Sequence, residues 1–320
     1  MTRAYESLGP SKTASAVCSA VVAPRSVSSL PLEVVLRRGD VVEARHRVHA
    51  VVVQDGRVVA SAGDPTLVTF LRSSAKPLQA LPLALARPDL ADDELAIACA
   101  SHVANAEQLD AVRRLLRDAP ADEDELECGP EPTPLDHTCS GKHAGFLALC
   151  RARGWPTIGY SRAGHPCQEL MLAEIAAAAE VEPESIPTAI DGCGVVTHAL
   201  PLERMAHAFS RFPQLKGAAR VSQAMCSHPD LIRGSSWVDT MLMRALPGWI
   251  AKIGAEGLFC ASSPEGVGLV LKVEDGGQWG AVPPALSEIV RRIGHDVADA
   301  FAVVPVTNSL GERVGQLTIG

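Results

Sequence analysis

No two of the nine cysteines stand three residues apart, which excludes a standard zinc-finger pattern. An odd number of cysteines in a chain of 320 residues also argues against a disulfide framework and for a reducing, cytoplasmic setting. No run of about 18 apolar residues occurs, so no membrane-spanning helix is expected. The first residues lack the charged stretch and apolar run of a secretory signal. Basic residues are in deficit, 29 Lys and Arg against 37 Asp and Glu for a formal net charge of −8, which leaves no footprint for nucleic acid. There is neither an internal repeat nor a low-complexity linker to divide the chain.

What is present is an apolar content of 47% and a charged content of 21%, the make-up of a soluble globular protein. Residues 1–30 read as a mobile tail, and residues 31–320 as one domain of two intertwined subdomains. Strands are expected over Glu33–Arg38 and around the Asp55-Gly56 turn, which joins two β-branched runs. Helices are expected from Ser73, with the serines as N-caps, and over Ala106–Asp118, Gly145–Arg153, Pro166–Glu180, Pro201–Arg211 and Pro283–Ala300. Further strands follow at Trp249–Ile253, Gly257–Ala261, Val267–Val273 and Ala302–Val306. Strands, a helical middle and returning strands give an α+β layout, with both chain ends in one antiparallel sheet beneath a helical layer.

The densest chemistry lies in Thr138-Cys139-Ser140-Gly141-Lys142-His143-Ala144-Gly145, where a thiol, an amine and an imidazole sit between two glycines. Packing and surface charge are the ordinary reading of such residues, but the glycines let the backbone approach something closely. Two thiolates and a nitrogen suit Zn²⁺. The second thiolate is Cys193 or Cys260, and Lys142 would have to be neutral to ligate. Ser73-Ser74-Ala75-Lys76 is a Ser-x-x-Lys whose ends share a helix face, so a buried lysine could take the serine proton. A cap and a solvated lysine explain it equally simply. Ser101-His102 closes an apolar segment, as a second pocket serine or a cap. Asp191, in Asp191-Gly192-Cys193-Gly194, is an Asx-turn or a grip for a substrate ammonium. Lys252 and Lys272 put amines on late strands.

Together these segments resemble the L-asparaginase II family of the Rhizobium etli type. The pieces are Arg72-Ser73-Ser74-Ala75-Lys76-Pro77, Ala98 to His102, Glu127-Cys128-Gly129-Pro130, Cys139 to Phe146, Gly164-His165-Pro166, Asp191-Gly192-Cys193, Lys252 to Cys260 and Leu271-Lys272. Where the family continues after the second serine with Gly and Glu, this chain has Val103-Ala104-Asn105. The resemblance implies a serine β-lactamase/glutaminase-like fold, a homodimer, and hydrolysis of L-asparagine to L-aspartate and ammonia. It implies two Ser–Lys pairs, Ser73 with Lys76 and Ser101 with Lys272, with Lys252 as the substitute in the second. It implies zinc on Cys139, Lys142 and Cys193, with Cys260 as the fallback, and substrate or water positioning by Arg72, His143 and Asp191. Two alternatives are a β-lactamase or penicillin-binding relative and a non-catalytic zinc- or amino-acid-binding relative. The first would call for a Ser-x-Asn, where this chain has Ser101-His102-Val103.

Overall fold

A computed structural model describes residues 26–277, 279–297 and 299–320. Most of the expected tail, residues 1–25, lies outside the described residues. The last part of it does not behave as a tail, because Ser26–Ser28 form a strand.

The strands are β1 (Ser26–Ser28), β2 (Leu32–Arg38), β3 (Val41–Gln54), β4 (Arg57–Ala62), β5 (Val68–Phe70), β6 (Thr188–Ile190), β7 (Val196–Pro201), β8 (Ile250–Ile253), β9 (Leu258–Ser262), β10 (Val267–Val273), β11 (Val304–Thr307) and β12 (Arg313–Ile319). The main sheet has nine strands, in the order β11-β12-β2-β3-β10-β9-β8, with β4 also on β3 and β1 on β4. β3 is its spine. Val48 pairs with Leu32 on one edge and Val273 on the other, and from Ala50 onward β4 replaces β2 as the partner opposite β10. The 14 residues of β3 are what allow this, and the Asp55-Gly56 turn closes the hairpin with both residues at positive φ. β2 and β12, from opposite ends of the described chain, thus pair antiparallel in one sheet, as expected for the α+β layout, while β1 departs from it by pairing parallel with β4.

Helix Leu202–Arg211 packs on β10 and β3. The approach needs Gly268, where a Cβ would lie 1.9 Å from the Ala206 carbonyl oxygen. One continuous apolar cluster joins the sheet to the helical layer. In that layer, helix Ala106–Asp118 buries Ala111, Val112, Leu115 and Leu116. Asn105 caps it by accepting from Gln108 N at 2.9 Å, while Gln108 Oε1 accepts from the Asn105 N–H.

Two expectations are corrected here. The serines do not cap a helix from Ser73. Arg72–Ala75 is a 3₁₀ turn capped at Leu71 without a side chain, and Ser74 Oγ donates to the Lys252 carbonyl at 3.0 Å. And the motif helix begins at Ser140, not Gly145. Its glycines do allow a close approach, but to protein rather than ligand. A Cβ on Gly141 would sit 2.2 Å from the Ile97 carbonyl oxygen of helix Asp92–Ala98, and one on Gly145 would sit 3.1 Å from the Ala98 Cβ. Tertiary packing outweighs the poor helix propensity of glycine.

Candidate active site

A small sheet ordered β5-β7-β6 builds one wall of a cleft. Phe70 pairs with Ala199, and Ile190 with Val196. This register places Arg72, just past β5, beside the β6–β7 turn that carries Asp191 and Cys193. Arg72 Nε donates to Asp191 Oδ1 at 2.8 Å, and the Arg72 N–H reaches Thr197 Oγ1 at 3.2 Å. Arg72 has φ +47°, a left-handed conformation that is strained for a side-chain-bearing residue. Ser73 follows directly.

The cleft, of about 310 Å³, is lined by Arg72, Ser73, Ser101, Cys139, Asp191 and Cys193, together with Glu131, His137, Arg233, Gly254 and Trp279 among others. A hollow of similar size, about 320 Å³ beside Cys226 and Pro264, has no charged residue in its lining. Hollows of about 420 and 300 Å³ do carry charge, from Glu127 and Arg162 and from Glu180, Glu203, Arg204 and His207, but of these four the first cleft alone gathers both serines and cysteines beside its charged groups.

Lys76 lies beneath the cleft and is 1% exposed. Its Nζ donates to the Ala100 carbonyl, to Ser101 Oγ at 3.0 Å and to Cys139 Sγ at 3.2 Å. Burial pulls its pKa down, against the attraction of Cys139. Ser73 lines the cleft, and among the described residues its hydroxyl has no hydrogen-bond partner. Ser101 is fixed by its N–H, which donates to the Ile232 carbonyl at 2.8 Å. His102 Nε2 lies 2.7 Å from Ser140 Oγ.

Across the cleft floor, Lys142 Nζ donates to Cys193 Sγ at 3.0 Å. Burial opposes the charge on Lys142, but the one negative charge that Cys193 and Cys139 carry between them, together with that of Asp191, outweighs it and raises its pKa. The sulfurs of Cys139 and Cys193 compete for one proton through a thiol–thiolate interaction. It leads the causes that hold Cys139 well below the usual thiol range and keep the proton on Cys193.

Four of the expected or substitute site residues lie elsewhere. Lys272 does not meet Ser101: its amine donates to the Glu256 carbonyl at 2.7 Å and to the Val273 carbonyl. The amine that meets Ser101 is Lys76. Lys252, the substitute, is fully buried 3.7 Å from Asp239 and donates to the Ile253 carbonyl at 2.8 Å. Burial lowers its pKa to about 7. His143 does not line the cleft. One residue along the helix from Lys142, it turns into the core, where Nδ1 lies 2.8 Å from the Tyr160 hydroxyl. Tyr160 in turn accepts from the Glu127 N–H at 2.8 Å. Cys260, the fallback ligand, is buried on β9 and outside the cleft lining.

The sequence reading missed Arg233, His137, Glu131 and Trp279, all in the lining. Only His137 carries a signal, two residues before the motif cysteine. Its Nδ1 accepts the Cys139 N–H at 3.0 Å.

The donor set was tested against zinc. Among the described residues no three His, Cys, Asp or Glu side chains gather as a metal group. Two sulfurs and an amine do converge, with Lys142 Nζ on Cys193 and the two thiols on each other. Such a set fits a soft divalent cation, provided Lys142 gives up the proton its neighbours now hold in place.

Among solved structures, the chain is similar to Mglu in its native form, 15% identical with a TM-score of 0.46 over 80% of this chain and 68% of that one. It is similar to a structure described as "Probable glutaminase from Bacillus subtilis complexed with 6-diazo-5-oxo-L-norleucine", at 12% identity and a TM-score of 0.35 over 78% and 85%. A third is EstCE1, a hydrolase with promiscuous acyltransferase activity, at 11% identity and a TM-score of 0.37 over 72% and 89%. Comparison with curated proteins finds no match. The sequence description of L-asparaginase II matches residues 34–319, and on that match the chain belongs to the L-asparaginase II family, a family of amide hydrolases.

Proposed function

We propose that the protein hydrolyses the side-chain amide of L-asparagine to L-aspartate and ammonia, with Ser73 as nucleophile. The observation that carries this reading is Lys76, three residues along the chain from the cleft-lining Ser73, whose desolvated amine donates to Ser101 Oγ at 3.0 Å. A nucleophile beside an amine whose pKa burial has lowered is what activation of a serine requires.

Neutral Lys76 takes the Ser73 proton as Oγ attacks the amide carbon. Lys76 and Ser101 pass that proton to the nitrogen, the C–N bond breaks and ammonia leaves. A β-aspartyl ester on Ser73 remains. Water attacks it and gives a proton to Lys76, which hands it to Ser73 Oγ as the ester C–O bond breaks, and L-aspartate departs with Ser73 and neutral Lys76 restored. Positioned proton transfer of this kind contributes about 10²–10⁴-fold. Asp191, held by Arg72, presents a carboxylate to the substrate ammonium. His143 acts at a distance, by seating the motif helix against Tyr160. Lys272, bound to backbone carbonyls, has no step. Cys139, Cys193 and Lys142 are the proposed zinc ligands. Bound there, the ion would supply fixed positive charge to the cleft floor, with Lewis acidity tempered by two thiolates.

The proposed assembly is a homodimer in the cytoplasm, supported by the family resemblance and the cysteine usage. Among the described residues no helix is long and apolar enough to cross a membrane. The test is ammonia release from asparagine and glutamine, with and without chelator, for the wild type and Ser73→Ala. Release from asparagine that Ser73→Ala abolishes in a folded protein is the expected result. Full activity in Ser73→Ala removes the nucleophile, and turnover of nitrocefin instead of either amide removes the substrate.

A further inference from the structure

The cationic groups at the cleft have their counterparts, with one exception. Arg72 has Asp191, Lys142 has Cys193, and Lys76 has Ala100, Ser101 and Cys139. Arg233 lines the same cleft, and among the described residues no carboxylate pairs with it. The acids nearest it in sequence are committed elsewhere, Asp230 to Arg244 and Asp239 to Lys252. The Arg233 Nε is buried without a partner. Among the described residues its one hydrogen bond is long, from Nη1 to the Ser101 carbonyl at 3.4 Å.

The guanidinium is nonetheless held in place. It stacks on Trp237 with its central carbon 3.9 Å from the ring centroid. The preceding residue, Ile232, accepts the Ser101 N–H at 2.8 Å, so segment 232–233 grips both backbone groups of Ser101. A half-buried guanidinium whose Nε is shielded from water and which has no ion-pair partner is unfavourable in the free protein. The cost is recovered when a carboxylate arrives, because the planar fork matches a carboxylate with two charge-assisted hydrogen bonds. Glu131 and Asp191 bring negative charge to the same cleft. A ligand with a carboxylate and an ammonium on one carbon would meet charge of the opposite sign at each.

We propose that Arg233 anchors the α-carboxylate of the substrate and sets the distance from that carboxylate to the amide at the serines. This rests on the amide-hydrolase reading and adds to it the group that selects free α-amino acids over neutral amides.

The test compares wild type, Arg233→Gln and Arg233→Lys on two compounds, L-asparagine and its α-carboxamide analogue, in which the α-carboxylate is a neutral amide. KM and kcat are read from ammonia release, and binding from titration calorimetry with the same two compounds. Arg233→Gln should raise KM for L-asparagine about 100-fold, with kcat changed far less, while leaving the analogue's KM within about threefold. Arg233→Lys, which keeps the charge but not the fork, should fall between. Equal losses on both compounds would show a structural role and overturn the proposal, as would no loss on either. Calorimetry separates this inference from the function it rests on. If the wild type releases no ammonia yet binds L-asparagine more tightly than the analogue, and Arg233→Gln removes that difference, the anchor stands and the hydrolase reading falls. If the wild type shows no preference for the carboxylate, the anchor falls whatever the turnover.

Discussion

Lys76 and Lys142 are both buried, both touch a cysteine sulfur, and face one another across a single pair of thiols, yet their pKa values shift in opposite directions. Desolvation is the largest influence on each and works against charge in both. The difference lies in the partners. Lys142 feels the one negative charge that Cys193 and Cys139 carry between them and that of Asp191, together enough to overcome its burial. Lys76 is shared between a carbonyl, a hydroxyl and one thiol, and the positive charge of Lys142 acts against its own. One side of the cleft floor is therefore equipped to move a proton and the other to hold charge still.

Substitutions can break this comparison from either side. The largest effect is expected for Lys76→Met, which should lower ammonia release by about 10²–10⁴-fold. Its unfolding free energy should fall by less than that of Lys142→Met, because an amine that is costly to bury leaves along with its contact to Cys139. Lys142→Met should do the reverse to the fold and cost about 3–5 kcal/mol in urea unfolding, because the thiolate and Asp191 lose their counter-charge. Equal stability losses in the two variants would erase the distinction. Gly141→Ala comes next. Its Cβ has no room against Ile97 and should cost about 1–3 kcal/mol, displacing the helix that carries Lys142.

A smaller effect concerns pH. Burial lowers His102 and His198 to about 4. The folded chain keeps them neutral where the unfolded chain, with an ordinary pKa near 6.5, takes a proton. Their contribution is present above about pH 6.5 and is lost as pH falls towards 4, then levels off. Unfolding free energy measured across that range should show the decline, and His198→Leu should flatten part of it. The smallest effect is Lys272→Met, which should leave kcat/KM within about threefold, because that amine serves only backbone carbonyls.

Local patterns were legible in the sequence, and meetings between distant segments only partly so. The Asp55-Gly56 hairpin follows from turn chemistry, and helix Ala106–Asp118 from the spacing of its apolar face. β12, seven residues without a clean alternation of apolar and polar, and the three-residue β5 and β6 give too little pattern to read. Yet β5 and β6 are what set Arg72 beside Asp191. The partner of Ser101 was unreadable for a related reason. It depends on helix Asp92–Ala98 ending against the turn after β5, a packing fixed by Gly141 from a third segment. Spacing along the chain says nothing of which lysine arrives there. His143 shows the limit of motif logic, since adjacent helix positions point to different sides and only Lys142 faces the cleft floor. Arg233 was invisible because it belongs to no pattern, and its role comes from what it lacks.

The central claim is that Ser73 carries the substrate's acyl group on the Lys76 side of the floor. Acid-quenched turnover of L-asparagine followed by peptide mass spectrometry tests it most directly. An aspartyl ester on the peptide containing Ser73, absent from Ser73→Ala, is the expected result. An ester on Ser101, or steady turnover with no ester on any serine, would contradict it.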